Sequence, residues 1–272
     1  MCDCQRTRRE VLSGALTGAL GAAAVVGLSA CGQAEPGDDA GLAHLAPVAS
    51  LTAVEVAPGL RIHPRSEWGA DLPPKSAIAP ETVRFLLVHH TASTNAVPDP
   101  RQVIRQTYAF HTGPAKRWPD ICYHFMIDPA GSVWETRTGS LDGPVVADAT
   151  GGNQGYAQLV CMIGNFTDQA PTPAAQESLA RTLLFLADRY DIDTDPTATT
   201  TFVSRGSNKF RSGAVVTTST ISGHRDVTYT ACPGDTSYAL LPAWRNRVNA
   251  TRLQRSDRGP VKRAVRRDVH LT

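Results

Sequence analysis

The segment Arg84-Phe85-Leu86-Leu87-Val88-His89 decides the fold class, because it contains the short, unbroken apolar run 85–88 and ends in a histidine. A run of this length and composition predicts a buried strand. His89 then lies at the end of that strand, where a ligand side chain is held rigidly. His90 points to the opposite face because strand side chains alternate. We therefore choose His89 as the candidate ligand and treat His90 as structural.

Helical and strand patterns alternate loosely along the chain, which predicts an α/β fold with a mixed central β-sheet flanked by helices. Asp99-Pro100 predicts a helix that Gly113 ends. Thr172-Pro173 opens a second helix, and Asp235 caps a third that runs from about 236 to 248. Further strands are predicted at 122–128 and 133–137, which form a hairpin, and at 159–163, with an extended or hairpin insertion at 197–222.

Composition bounds the class of protein. With 272 residues, of which 42% are apolar and 19% charged, the chain has an ordinary globular balance. The net charge of +2 gives no signal for nucleic acid. We expect a monomer with no nucleic-acid partner.

The first 30 residues predict an export signal peptide. A basic stretch with Arg8 and Arg9 precedes residues 11–30, which are rich in small and apolar side chains and carry no charge. The arginine pair resembles a twin-arginine signal, and Leu28-Ser29-Ala30-Cys31 resembles the bacterial lipobox. Lipid on Cys31 would hold the protein at the outer face of the cytoplasmic membrane, within the cell wall. Ordinary secretion and an uncut membrane anchor are the alternatives.

The folded domain is predicted to span residues 60–249. Residues 31–59 contain Pro, Gly, Asp and Ala without periodicity, which predicts a tether between membrane and domain. Residues 250–272 hold many Lys and Arg and lack apolar periodicity, which predicts a disordered basic tail. That tail is either a solvated end without a role or a segment that adheres to anionic lipid or wall polymer.

Three cysteines remain in the predicted domain: Cys122, Cys161 and Cys232. An odd number does not make a disulfide framework. Cys122 and Cys161 could pair outside the cell. They could equally be small buried hydrophobic residues, which is the more common fate of strand cysteines.

Two histidines and one cysteine form a candidate set of metal ligands. His89 ends the first strand, His224 lies in Gly223-His224-Arg225-Asp226, and Cys232 follows in Thr230-Ala231-Cys232-Pro233-Gly234. Two imidazoles and one thiolate suit Zn²⁺, and three protein ligands leave a fourth position for water, which is the arrangement of catalytic zinc. If these side chains meet in space, they predict a metallohydrolase.

Six ordered segments resemble the peptidoglycan recognition proteins and the zinc-dependent N-acetylmuramoyl-L-alanine amidases related to phage T7 lysozyme. The resemblance covers roughly residues 60–250, and the order of the segments makes it specific although each segment alone is weak. The segments are Arg65-Ser66-Glu67-Trp68-Gly69-Ala70, Val88-His89-His90-Thr91-Ala92, Asp120-Ile121-Cys122-Tyr123-His124-Phe125, Ile163-Gly164-Asn165-Phe166, Gly223-His224-Arg225-Asp226-Val227 and Thr230-Ala231-Cys232-Pro233-Gly234.

By position, the resemblance implies that His89, His224 and Cys232 are zinc ligands and that Tyr123 is the active-site tyrosine. Thr230 lies where catalytic members of the family carry a lysine or a threonine. The implied activity is hydrolysis of the amide bond between N-acetylmuramic acid and L-alanine, with Zn²⁺ as the cofactor and peptidoglycan as the substrate.

One departure from the family pattern concerns proton transfer. Some related amidases carry a glutamate general base on the strand that matches 159–163, where this chain has Cys161 and no carboxylate. Proton transfer would then depend on the activated water, Tyr123 and the substrate. A non-catalytic module that recognises muropeptides is the alternative function. Non-catalytic members of the family typically lack the cysteine ligand, whereas Cys232 is present here.

Overall fold

The computed structural model describes residues 53–152 and 155–257. The described part of the chain alternates between strands and helices, as the sequence predicted. In chain order the elements are β1 (Val54–Ala57), β2 (Leu60–His63), α1 (Ser66–Gly69), β3 (Phe85–His90), α2 (Pro100–Thr112), β4 (Phe125–Ile127), β5 (Val133–Glu135), β6 (Ala157–Met162), α3 (Pro173–Arg189), β7 (Thr199–Val203), β8 (Val215–Ser219), β9 (Ile221–Gly223), α4 (His224–Val227) and α5 (Asp235–Asp257).

Seven strands form one mixed sheet in the order β1-β2-β5-β4-β6-β3-β9. The strand predicted from the apolar run is β3, which pairs in parallel with β6 on one side and β9 on the other. All six residues of β3 are buried, as expected for a strand covered on both faces. The predicted hairpin is present as the antiparallel pair β4–β5. The predicted fold class, a mixed sheet with flanking helices, is confirmed.

The two faces of β3 lead to different layers of the protein. Leu86 and Val88 pack into the core beneath α3 and α5. Phe85 and Leu87 pack into a second core that includes residues of β7 and β8. Because side chains alternate along a strand, His89 shares the face of Phe85 and Leu87 and points away from α3 and α5.

Side-chain caps set the starts of the two main helices. The Asp99 carboxylate accepts a hydrogen bond from the Arg101 N–H at 3.0 Å, and the Thr172 hydroxyl accepts one from the Ala175 N–H at 3.1 Å. Each helix has a proline in its first turn, where a missing N–H costs nothing. The predicted starts of α2 and α3 are confirmed, as is the end of α2 at Gly113.

The structure corrects both predicted boundaries of the domain. Residues 54–57, assigned to the tether, form β1 and pair antiparallel with β2. At the other end, α5 continues past residue 249, so residues 250–257 are helical and not disordered. Arg252 and Arg255 form ion pairs with Asp188 at 3.1 and 3.7 Å, which hold this last part of α5 against α3. The sequence alone did not reveal that Asp188 is the ion-pair partner of these two arginines.

The predicted insertion at 197–222 contains the hairpin β7–β8, whose strands form their own two-stranded sheet. Its last residues belong instead to β9 of the main sheet. Residues 204–214 connect β7 with β8 and form a loop, called here the hairpin loop. This loop contacts the backbone at Arg225 and Asp226.

Several predictions fall on residues that the structure does not describe. They are the export signal at 1–30, the lipid on Cys31, most of the tether and the tail beyond residue 257. Across 53–152 and 155–257, no helix is long and apolar enough to cross a membrane. Cys122 and Cys161 are both free thiols, so the disulfide considered between them is not formed.

A buried carboxyl lies at the start of the segment that leads into β3. Glu81 Oε1 accepts a hydrogen bond from the Gln158 side-chain amide at 2.6 Å. Within the described residues, Glu81 Oε2 and Gln158 Oε1 are buried without a hydrogen-bond partner. Burial raises the pKa of Glu81 from 4.5 to about 8. Protonation of Glu81 avoids a buried charge and turns one oxygen of its carboxyl into a hydrogen-bond donor.

The raised pKa of Glu81 makes stability depend on pH. The native state holds this proton more tightly than the unfolded state, so its contribution is complete below pH 4.5 and is lost as pH rises to about 8. As pH rises through this range, the free energy of unfolding of the wild type should fall relative to that of Glu81→Gln, which carries no titrating group at this position. Urea denaturation across the range measures the difference. A difference in free energy of unfolding between Glu81→Gln and the wild type that stays constant across this range would contradict the prediction.

Candidate active site

Three side chains predicted as metal ligands converge at one end of the sheet. His89 comes from the end of β3, His224 begins α4 directly after β9, and Cys232 lies in the loop before α5. Their ligand atoms all lie within 4.8 Å of one another. The two imidazole centroids are 4.3 Å apart, and Cys232 Sγ is 3.6 Å from His89 Nδ1.

These distances fit a tetrahedral zinc site. Zinc bonds of about 2.3 Å to sulfur and 2.0–2.1 Å to nitrogen, at the tetrahedral angle, separate the two ligand atoms by about 3.6 Å. The observed Sγ to Nδ1 distance is 3.6 Å. His89 Nδ1 is therefore the ring nitrogen that lies at zinc-ligand spacing from the sulfur. The donor set and its spacing therefore fit Zn²⁺.

Both imidazoles are held in the neutral form that binds metals. Burial lowers the pKa of His89 well below its usual value, and the neighbouring His224 lowers it further. Burial, together with His90, lowers the pKa of His224 to about 3. A metal displaces protons from its ligands. Two imidazoles that are already neutral avoid that cost.

Cys232 is fixed from three directions. The His90 backbone N–H donates to its Sγ at 3.3 Å, its own N–H donates to the Thr230 hydroxyl at 3.2 Å, and its carbonyl accepts from the Arg225 N–H at 3.1 Å. Arg225 also forms an ion pair with Asp235 at 2.7 Å. Arg225 lies in a segment that the sequence singled out, but its role in bracing this loop depends on contacts that sequence spacing does not reveal.

A glycine allows this loop to approach the sheet closely. Gly234 has φ of +92°, and a Cβ at this position would lie 2.4 Å from the Phe166 carbonyl carbon and oxygen. Any side chain would therefore push the loop away from the strand end. The position of Cys232 next to His89 depends on this contact.

His90 lies on the other side of β3 from the ligand cluster. Its Nδ1 accepts a hydrogen bond from the Phe166 N–H at 3.3 Å, and its ring lies 6.1 Å from the Phe166 ring. The alternation argument thus placed the two neighbouring histidines correctly. His89 joins the cluster, while His90 contributes a backbone N–H to Cys232.

Tyr123 borders the cluster. Its ring centroid lies 5.3 Å from that of His89 and 5.5 Å from that of His111. Thr230 lies beside Cys232, and its hydroxyl oxygen accepts the Cys232 N–H. Of the two residues chosen from the sequence for their hydroxyl groups, Tyr123 therefore lies beside His89 and Thr230 beside Cys232.

Cys161 occupies the strand position directly opposite His89 in the β3–β6 register. It is completely buried, and burial raises the pKa of its thiol well above the usual value. A thiol in this state does not act as a base near neutral pH. The neighbours that shift the pKa of His89 are His224, His90, His111 and His124, and none of them is a carboxylate.

Comparison with known proteins places this geometry in a family. A family model described as N-acetylmuramoyl-L-alanine amidase matches residues 79–235. Peptidoglycan-recognition protein SD of Drosophila simulans is 30% identical over 203 residues, which cover 73% of this chain and 94% of that protein. The N-acetylmuramoyl-L-alanine amidase of Homo sapiens is 31% identical over 218 residues, which cover 75% of this chain and 32% of that protein.

The solved structures show the same fold. The crystal structure of Drosophila peptidoglycan recognition protein SD superposes with a TM-score of 0.53 at 24% sequence identity, over 68% of this chain and 95% of that chain. The family match and the identity to a relative across nearly all of its length show that this chain belongs to the N-acetylmuramoyl-L-alanine amidase family, whose relatives include the peptidoglycan recognition proteins.

Proposed function

We propose that this chain is a zinc-dependent N-acetylmuramoyl-L-alanine amidase that cleaves the amide between N-acetylmuramic acid and L-alanine in peptidoglycan. The observation that carries the proposal is the convergence of His89, His224 and Cys232 within 4.8 Å. The human relative is named for this activity. A relative named as a peptidoglycan recognition protein supports the substrate class.

Zinc at this site would supply a Lewis acid that polarises the scissile carbonyl and activates water. His89 and His224 would bind it as neutral imidazoles, and Cys232 as a thiolate. The Tyr123 hydroxyl would orient the attacking water or donate to the oxyanion that develops on the carbonyl oxygen. The Thr230 oxygen already accepts the Cys232 N–H, which leaves its O–H proton free to donate to the same oxyanion.

Proton transfer would proceed without a carboxylate on β6, since Cys161 stands there. Tyr123, whose ring lies 5.3 Å from that of His89, would then be the main protein group that assists proton transfer. Thr230 adds a hydrogen bond but no positive charge. We therefore expect the Tyr123 hydroxyl to contribute more to the rate than the Thr230 hydroxyl does.

A binding module that recognises muropeptides without cutting them is the rival proposal, and the relative named as a recognition protein favours it. A recognition module needs a groove but no reactive metal. The complete ligand set, and Cys232 in particular, favours the enzyme. Digestion of peptidoglycan separates the two functions.

Purified peptidoglycan treated with the zinc-loaded protein should release intact stem peptides that begin with a free L-alanine, as measured by mass spectrometry. Cys232→Ser replaces the soft thiolate with a hydroxyl and should lower both zinc affinity and the rate of release by at least about 100-fold. Cys122→Ser is the matched control, a buried cysteine outside the ligand set. Binding of zinc and muropeptide without any release would contradict the enzyme and leave the recognition module.

Tyr123→Phe removes only the hydroxyl group and keeps the ring beside His89. We expect kcat to fall by about 100-fold, because a lost acid–base or oxyanion contact typically costs this much. Zinc affinity, measured by competition with a chelator, should not change. Tyr156→Phe is the control, since Tyr156 packs against Arg84 and Phe202 instead. An unchanged kcat for Tyr123→Phe would remove this hydroxyl from the reaction.

We also propose that the protein is exported and anchored as a lipoprotein at the outer face of the cytoplasmic membrane, where peptidoglycan is accessible. The proposal is supported by Arg8-Arg9 and by Leu28-Ser29-Ala30-Cys31. Cys31→Ser should abolish incorporation of labelled fatty acid and release the protein from membranes. Replacing both arginines by lysine should block export. Continued labelling of the Cys31→Ser protein would contradict the lipid site.

A further inference from the structure

The hairpin loop, residues 204–214, contacts the segment that joins two of the candidate metal ligands. The Lys209 ammonium donates to the carbonyl oxygens of Arg225 and Asp226 at 2.9 and 2.8 Å. The Asn208 amide donates to the Tyr229 carbonyl at 3.0 Å, and its oxygen accepts the Tyr229 N–H at 2.9 Å. Two consecutive side chains thus make four hydrogen bonds to the backbone between His224 and Cys232.

Lys209 satisfies backbone groups that the local helix leaves open. The helix α4 is only four residues long, so carbonyls near its end lack partners within the helix. The Lys209 ammonium lies between the carbonyls of Arg225 and Asp226. Its positive charge also favours the negative end of the peptide dipoles. The turn that presents His224 is therefore fixed at its exit by a residue from another sheet.

The Asn208 side chain pairs with the Tyr229 backbone as a neighbouring strand would, because its amide donates to the Tyr229 carbonyl and its oxygen accepts the Tyr229 N–H. This two-way pairing fixes the backbone at Tyr229 in position and orientation. The next residue, Thr230, accepts the Cys232 N–H. A shift of the backbone at Tyr229 would therefore move both the Thr230 hydroxyl and the Cys232 ligand.

The contact adds little to the hydrophobic core. Asn208 is exposed, and the Tyr229 side chain is 60% exposed. Arg225 braces the far end of the same loop, at Cys232 and Asp235, while the hairpin loop holds its near part. The two Asn208 bonds are exposed and contribute modestly to stability, whereas the two Lys209 bonds are half-buried. These contacts orient the loop more than they stabilise the fold.

We propose that Lys209 and Asn208 are positioning residues that hold the 225–232 loop so that Cys232 and Thr230 meet His89 in the geometry of the metal site. The inference rests on the proposed zinc-dependent function. It adds a role for the β7–β8 hairpin, which otherwise lies outside the site. Residues that orient metal ligands typically change metal affinity by about 10- to 100-fold when they are removed.

Lys209→Met keeps the length of the side chain but loses the charge and the donors. In the full-length protein, it should weaken zinc binding by about 10- to 100-fold in competition with a chelator. It should also change the thiolate-to-metal absorption band of the cobalt-substituted protein. The melting temperature of the metal-free protein should shift by no more than about 4 °C. Lys209→Arg, which can donate to both carbonyls, should restore zinc affinity.

Two further variants complete the test. Arg211→Met removes a charge from an exposed position of the same loop and should bind zinc as the wild type does. Asn208→Ala, also at an exposed position, should weaken zinc binding even if Lys209→Met does not fold. A wild type that binds no zinc would overturn the proposed function together with this inference. If the wild type binds zinc and both Lys209→Met and Asn208→Ala bind it with the same affinity, this inference alone is overturned.

Discussion

The parallel pairing of β3 with β6 and β9 is the constraint on which the site depends. β3 is buried along its whole length, so its register is set by packing on both faces. That register places Val88 opposite Gly223 and His89 opposite Cys161. Because parallel strands end at the same edge of a sheet, the last residues of β3 and the residue that follows β9 meet there. His89 and His224 are therefore neighbours although they are far apart in sequence.

The third candidate ligand, Cys232, lies in a loop, and polar contacts hold it in position. The loop that carries Cys232 is tied by backbone N–H groups of His90 and Arg225, and Gly234 lets it pass close to Phe166. Because each contact is directional, together they fix the sulfur next to His89 Nδ1. The site thus combines two ligands set by a rigid sheet with one set by a braced loop.

Amidases and recognition proteins occur on the same fold, so the fold does not decide the activity. The decision lies in a few side chains at the end of the sheet. Two imidazoles kept neutral by burial and a cysteine whose sulfur lies 3.6 Å from His89 Nδ1 fit a metal. Muropeptide recognition alone does not require them. Burial also raises the pKa of the Cys161 thiol well above its usual value, so this thiol does not act as a base near neutral pH.

The sequence by itself determined the buried strand β3 to within one residue at each end, the choice of His89 over His90, the starts of α2 and α3, and the likeness to a known family. These follow from local periodicity, from capping residues and from the order of short motifs, all of which are encoded by neighbouring residues. Only the tertiary structure decided the domain edges, because β1 and the end of α5 depend on partners such as Asp188 that are distant in sequence. Only the structure showed that Lys209 and Asn208 contact the 225–232 loop, since hydrogen bonds between two loops leave no pattern in the sequence.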